Sequence, residues 1–328
     1  MPPFREALPM QLRRTSLLAA TLVTLALASA AAPATGTPRT AGTAPGGWQQ
    51  VGDDAKSGVS GLALTGGAVA GGAVEALVVH DNKKPGERRI SRVTFHPSAP
   101  KATTVAPLVW DGAEPTDLEA VEAVPGTDGE FMALAGRGLV YRLHVDGGTA
   151  RVLDLSPLPA IPEGADFESF ALGTSHGRTV AVWADRGAGA DRPATVFAAP
   201  FSVGEYGEAE FGNVEKAEFR AAYPKGDVRH VSDISLTKSG RIMVSSASDA
   251  GDDGPFASAV SEAGRVSLNG SGTRAALRMA AQRTAPDRFD DRKIEAVECV
   301  PGANGTALLG TDDENLGGYL KSAPVCGG

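Results

Sequence analysis

The chain has 328 residues, with 31 Lys and Arg against 39 Asp and Glu, for a net charge of −8. That balance argues against nucleic acid or an anionic membrane surface as partner, since both are recognised by clustered basic residues. Two cysteines and five scattered histidines leave few soft ligands for a zinc or copper centre.

Residues 1–30 have the layout of a secretory signal peptide. Arg5, Arg13 and Arg14 form a basic start, Ser16 to Leu27 an apolar run, and Ala28-Ser29-Ala30 a small-residue cleavage site. The apolar run is short for a bilayer span, so the expectation is a secreted, extracellular protein with no membrane span after cleavage. Removing Arg5, Arg13, Arg14 and Glu6 takes the balance from 31 against 39 to 28 against 38, making the mature chain more acidic. Residues 31–47 are rich in Ala, Pro, Thr and Gly. They offer little to bury and read as a disordered leader. The structured domain is expected over 48–328, as a monomer.

Within that domain one sentence occurs twice. Leu118 to Gly129 read LEAVEAVPGTDG and Ile294 to Gly305 read IEAVECVPGANG, identical at eight of twelve positions. Used as a template, the pair brings out three weaker copies, and the five cores begin at Ser60, Asp117, Asp166, Ser232 and Lys293. Their intervals are 57, 49, 66 and 61 residues. Each core has a small fourth residue: Ala63, Ala120, Ser169, Ser235 and Ala296.

After each core comes a glycine turn: Gly66-Gly67, Asp128-Gly129, His176-Gly177, Ser239-Gly240 and Asn304-Gly305. A short apolar strand follows: Ala76 to Val79, Phe131 to Leu134, Thr179 to Trp183, Ile242 to Val244 and Ala307 to Leu309. Third and fourth strands complete most units. Only Thr273 to Gln282 hints at a helical period. Four short strands repeated five times predict an all-β fold, a β-propeller of five blades. The fifth unit ends after its third strand, at Tyr319 to Lys321, while Trp48 to Val51 has no unit of its own. The N-terminal strand is therefore expected to close the ring, removing two exposed sheet edges. Cys299 and Cys326, an even pair in an exported chain, read as one disulfide. Asn269-Gly270-Ser271 and Asn304-Gly305-Thr306 match glycosylation sequons, but in turns, where such triplets are common by chance.

In a propeller, the starts of the innermost strands and the loops after the second strands converge on one mouth of the central channel. Those positions are acidic here. Asp117, Asp166, Asp185, Asp249 and Asp312 are candidate binding residues. Glu119, Glu168 and Glu295, the third residues of three cores, are candidate metal ligands. Carboxylates converging near an axis repel one another unless a cation joins them, and an oxygen-only set suits Ca²⁺. Glutamates bonded to backbone amides of neighbouring blades are the alternative. His80 beside Asp81 is the candidate base, and Arg137, with Lys83, Lys84, Arg88, Arg186 and Arg229, supplies candidate cations. No Gly-x-Ser-x-Gly elbow, His-Glu-x-x-His pair or phosphate-cradling loop is present.

The Asp-apolar-Glu-Ala-apolar opening, the glycine turn, the apolar strand and the Asp-containing loop resemble the repeat of secreted phytase-like (esterase-like phytase) propellers. Gluconolactonase-type propellers are a more distant parallel. The resemblance covers about Ser57 to Lys321. This chain reads Glu-Ala or Glu-Ser where those proteins usually show Glu-Gly, and Leu62 and Ile234 replace the glutamate in units one and four. The resemblance implies Ca²⁺-dependent hydrolysis of phosphate or ester bonds at the mouth. Propellers also serve as non-enzymatic binding modules and as scaffolds, so three readings stay open: a ligand- or partner-binding propeller, a hydrolase, or an envelope scaffold.

Overall fold

The computed structural model describes residues 39–66, 72–248, 250–280 and 287–327. The signal segment, the first part of the leader and Asp249 lie outside the described residues. The described residues form five sheets, one per repeat, arranged as a five-bladed β-propeller. The innermost strands are Gly61–Leu64, Leu118–Ala123, Phe167–Ser175, Val228–Leu236 and Ile294–Cys299. Each contacts the next, and the fifth contacts the first, so the ring is closed.

The second strands are Val74–Val79, Glu130–Ala135, Arg178–Asp185, Arg241–Ser248 and Ala307–Asp312. They read as continuous apolar runs because both faces of a blade are covered. In blade one, Ala76 and Val78 pack into the seam with blade five, while Leu77 and Val79 pack into the seam with blade two. In blade three, Val180, Val182 and Ala184 face blade four, and Ala181 and Trp183 face blade two. Each of the five seams has its own apolar cluster. Burying a large apolar side chain in such a seam contributes about 1.5–3 kcal/mol. Trp183, stacked on Phe197 with centroids 5.6 Å apart, fills the seam between blades two and three.

Closure follows the expectation. Trp48–Gly52 pairs antiparallel with Gly318–Ala323 and becomes the fourth strand of blade five. Residues 39–47, read from composition as the end of a disordered leader, carry two further edge strands. Arg39–Thr40 pairs with Thr104–Pro107 of blade one, and Gly42–Ala44 with Trp48–Gly52. Backbone pairing, which composition does not report, orders them. The hint of helix at 273–282 is also corrected, since Ala275–Met279 is a strand of blade four. The disulfide joins Cys299 to Cys326 and ties the C-terminal tail to the inner strand of blade five.

Candidate functional site

The five inner strands start at the same end of the channel, and there the alternation of the strands is broken at chosen points. In blade two, Leu118 pairs with Ala135 and Ala120 with Leu134, so Glu119 has no opposite number. Glu168 is skipped in the same way between Phe167 and Ser169, and Glu295 between Ile294 and Ala296. Each glutamate is thus the extra residue of a β-bulge, a device that re-aims a side chain. Its neighbours keep their seams: Leu118 faces blade one and Ala120 faces blade three. Blade one, with Leu62 at this position, pairs without a bulge, and Leu62 is core. Ile234 of blade four is core as well. There the register breaks between Arg229 and Asp233.

The re-aimed side chains line a cavity of about 310 Å³ at the channel mouth, and all thirteen lining residues are charged. Blade one supplies Asp81 and Lys83, and blade two Asp117, Glu119 and Arg137. Blade three supplies Asp166, Glu168 and Arg186, blade four Arg229, and blade five Lys293, Glu295, Asp312 and Glu314. Among these residues every blade contributes one cation.

Most of the charges are matched within the protein. Lys83 reaches Asp117 across a seam at 3.0 Å. Arg186 pairs with Asp166 at 3.3 Å and Glu168 at 3.2 Å. Arg229 spans two seams, 2.8 Å from Glu295 and 3.7 Å from Glu168. Lys293 holds Glu295 at 3.0 Å and also Glu314. Four charges are left over: among the described residues, Arg137 makes no ion pair or hydrogen bond, and Asp81, Glu119 and Asp312 have no ion-pair partner.

The leftover carboxylates carry the cost of that mismatch. Burial, reinforced by Glu295, pushes the Asp81 carboxyl up to about 6. Burial also raises Glu119 well above the usual carboxylate range, with Glu168 and Asp117 adding to it. Asp312 is raised in the same way by burial, then by Glu295 and Asp81. Burial takes Glu168 up to about 7 against the opposing pull of Arg229. For Lys293, burial works against the ammonium, but Glu295, Asp312 and Glu314 outweigh it and its pKa is raised.

Deeper in the channel, buried carboxylates do a different job. Asp233 accepts from Val297 N–H at 2.7 Å and from Ile234 N–H at 2.8 Å, stapling blade four to blade five. The alternative drawn for Glu119, Glu168 and Glu295, bonding to backbone amides, describes this lower residue. The mouth glutamates Glu168 and Glu295 engage cations instead.

Of the residues singled out from sequence, Asp81, Arg137, Asp117, Asp166, Asp312, Glu119, Glu168 and Glu295 meet at the mouth. Two do not. His80 is fully enclosed: its Nδ1–H donates to Gly58 O at 2.6 Å and its Nε2 accepts from Ser91 Oγ at 3.0 Å. The carbonyl can only accept, which fixes that tautomer. Burial, with Arg88 adding to it, lowers the ring to about 4, so it is a neutral structural staple rather than a base at the mouth. Asp185 turns away from the cavity to accept from Asp166 N–H and Gly187 N–H and to pair with Arg192 at 2.7 Å. Asp249 lies outside the described residues. Lys84 and Arg88 are not part of the lining. Lys293 was overlooked in sequence, although the first core position reads Asp, Asp and Lys in blades two, three and five, and all three residues line the cavity.

The three glutamates do not fit a calcium ion as they stand. Glu168 and Glu295 already hold Arg229, and among the described residues no three His, Cys, Asp or Glu side chains come together closely enough for a metal ion. No protein-family model matches the chain, and a comparison with curated proteins finds no match either.

Proposed function

We propose that this protein is a ligand-binding β-propeller whose recognition site is the charged mouth of its channel, and that its ligand is small and ionic. One observation carries the reading: five blades converge on a cavity of about 310 Å³ whose lining is entirely charged. Nothing in propeller packing demands this. The seams are already apolar, and buried unmatched carboxylates are costly to keep. A fold that keeps them departs from its own packing rules at a place of use. The volume suits a ligand at the small end of the usual range. A larger cleft of about 900 Å³ lies between the outer strands of blades three and four, but it draws on those two blades alone.

Hydrolysis of a phosphate or other ester at the same mouth is the second reading. Its support is Asp81, pushed up to about 6 and so suited to proton transfer near neutral pH, in one cavity with the unpaired Arg137. We also place the protein outside the cytoplasm. The Cys299–Cys326 disulfide supports this, because such bonds persist in oxidising compartments.

A thermal-shift panel tests the binding reading. Small charged solutes are expected to raise Tm, by about 2.7 kcal/mol of stabilisation at roughly a hundredfold excess over Kd. Neutral sugars of similar size are expected to leave it unchanged. Stabilisation by neutral or apolar solutes alone would contradict the assignment.

A further inference from the structure

We infer that the ligand is a small zwitterion of the amino-acid or ω-amino-acid class, its ammonium held by Asp81, Glu119 and Asp312 and its carboxylate by Arg137. The inference rests on the mouth being the binding site and names what it takes. Charge complementarity carries it. After the internal ion pairs are drawn, the cavity keeps one guanidinium and three carboxylates without ion-pair partners among the described residues. A ligand that satisfies both sets must itself carry both signs.

The geometry separates an ammonium from a metal ion. A bare divalent cation needs oxygens closing to about 2.3–2.6 Å around it, and the described carboxylates do not gather that tightly. An ammonium is larger and presents three N–H donors, which suits acids arriving separately from blades five, one and two. On the other side, a guanidinium forks onto a carboxylate through two parallel hydrogen bonds. Among the described residues no apolar side chain lines the cavity, so the carbon chain between the two groups must be short.

Titration calorimetry near neutral pH tests the class. The probes are glycine, γ-aminobutyrate and ε-aminocaproate, which carry the two groups at increasing spacing, with putrescine, succinate and inorganic phosphate as single-sign controls. At least one zwitterion is expected to bind about tenfold tighter than any control. Arg137→Ala, at an exposed position, should weaken that zwitterion by about tenfold or more and leave putrescine unchanged. Glu119→Gln, nearly isosteric, should weaken both the zwitterion and putrescine. If succinate or phosphate binds tightest and Glu119→Gln costs nothing, the zwitterion is wrong while the mouth remains a ligand site. If no charged probe binds, both readings fall.

Discussion

Gly58 lies against the carboxylate of Asp312: a Cβ placed on Gly58 would sit 2.2 Å from Asp312 Oδ1. The contact joins three parts of the molecule. Gly58 follows the closing strand, its carbonyl accepts from buried His80, and Asp312 is part of the mouth. Closing the ring and shaping the site are therefore one structural event at this residue. Gly58→Ala is expected to push the carboxylate from its place and cost about 1–3 kcal/mol of stability. Adding Asp312→Ala should recover most of that loss in a double-mutant cycle of Tm values. Additive losses would mean that the two residues do not press on each other.

Arg229 is the cation shared between Glu168 and Glu295, with its side chain largely buried. Arg229→Met leaves both carboxylates facing one another without that cation. The expected loss is about 3 kcal/mol at about pH 8. It should be smaller at about pH 5, where the glutamates can take up protons. Chemical denaturation at the two pH values measures the difference, and an equal loss at both would exclude this role.

The raised carboxylates set the sign of the pH dependence. Asp81 (about 6), Glu168 (about 7), Glu119 and Asp312 bind protons more tightly folded than unfolded. Stability is therefore highest below their unfolded pKa values and falls as pH rises through the folded ones. His80, lowered to about 4, acts oppositely, but only below its unfolded value of 6.5. Between about pH 6.5 and 8 the acids act unopposed by it, so Tm should fall across that interval. Glu119→Gln should flatten the slope by up to about 1.4 kcal/mol per pH unit and raise Tm at the alkaline end. A steeper slope or a lower Tm would show that Glu119 is matched by a cation after all.

Calcium offers a contrasting control. Because Glu168 and Glu295 are already engaged by Arg229, Tm is expected to be the same with added Ca²⁺ and with chelator. A rise of several degrees with Ca²⁺ alone would require the ring of ion pairs to open around the metal.

The blades were legible in the sequence because each repeat core carries its seam residues at fixed positions, as with Leu118 and Ala120. The ring closure was legible too, since blade five lacks a fourth strand and Trp48 to Val51 lacks a blade. The gathering of Asp117, Asp166, Glu119, Glu168 and Glu295 followed from their place in the repeat. Their counterions were legible only in part. Lys83, Arg186 and Arg229 stood among the candidate cations, but which carboxylate each would hold depends on contacts across the seams, and Lys293, which precedes an inner strand, was missed. The bulges that aim the glutamates are properties of pairing between strands, invisible in either strand alone. His80 and Asp185 misled because a polar residue beside a mouth loop can turn inward as well as outward. A carbonyl and a hydroxyl wait inward for His80, and backbone amides and Arg192 for Asp185.

A crystal structure grown with the charged solute that raises Tm most would locate the ligand outright. Density is predicted in the mouth, within hydrogen-bonding distance of Arg137 and Glu119. Density instead in the cleft between blades three and four, with only water in the mouth, would contradict the assignment.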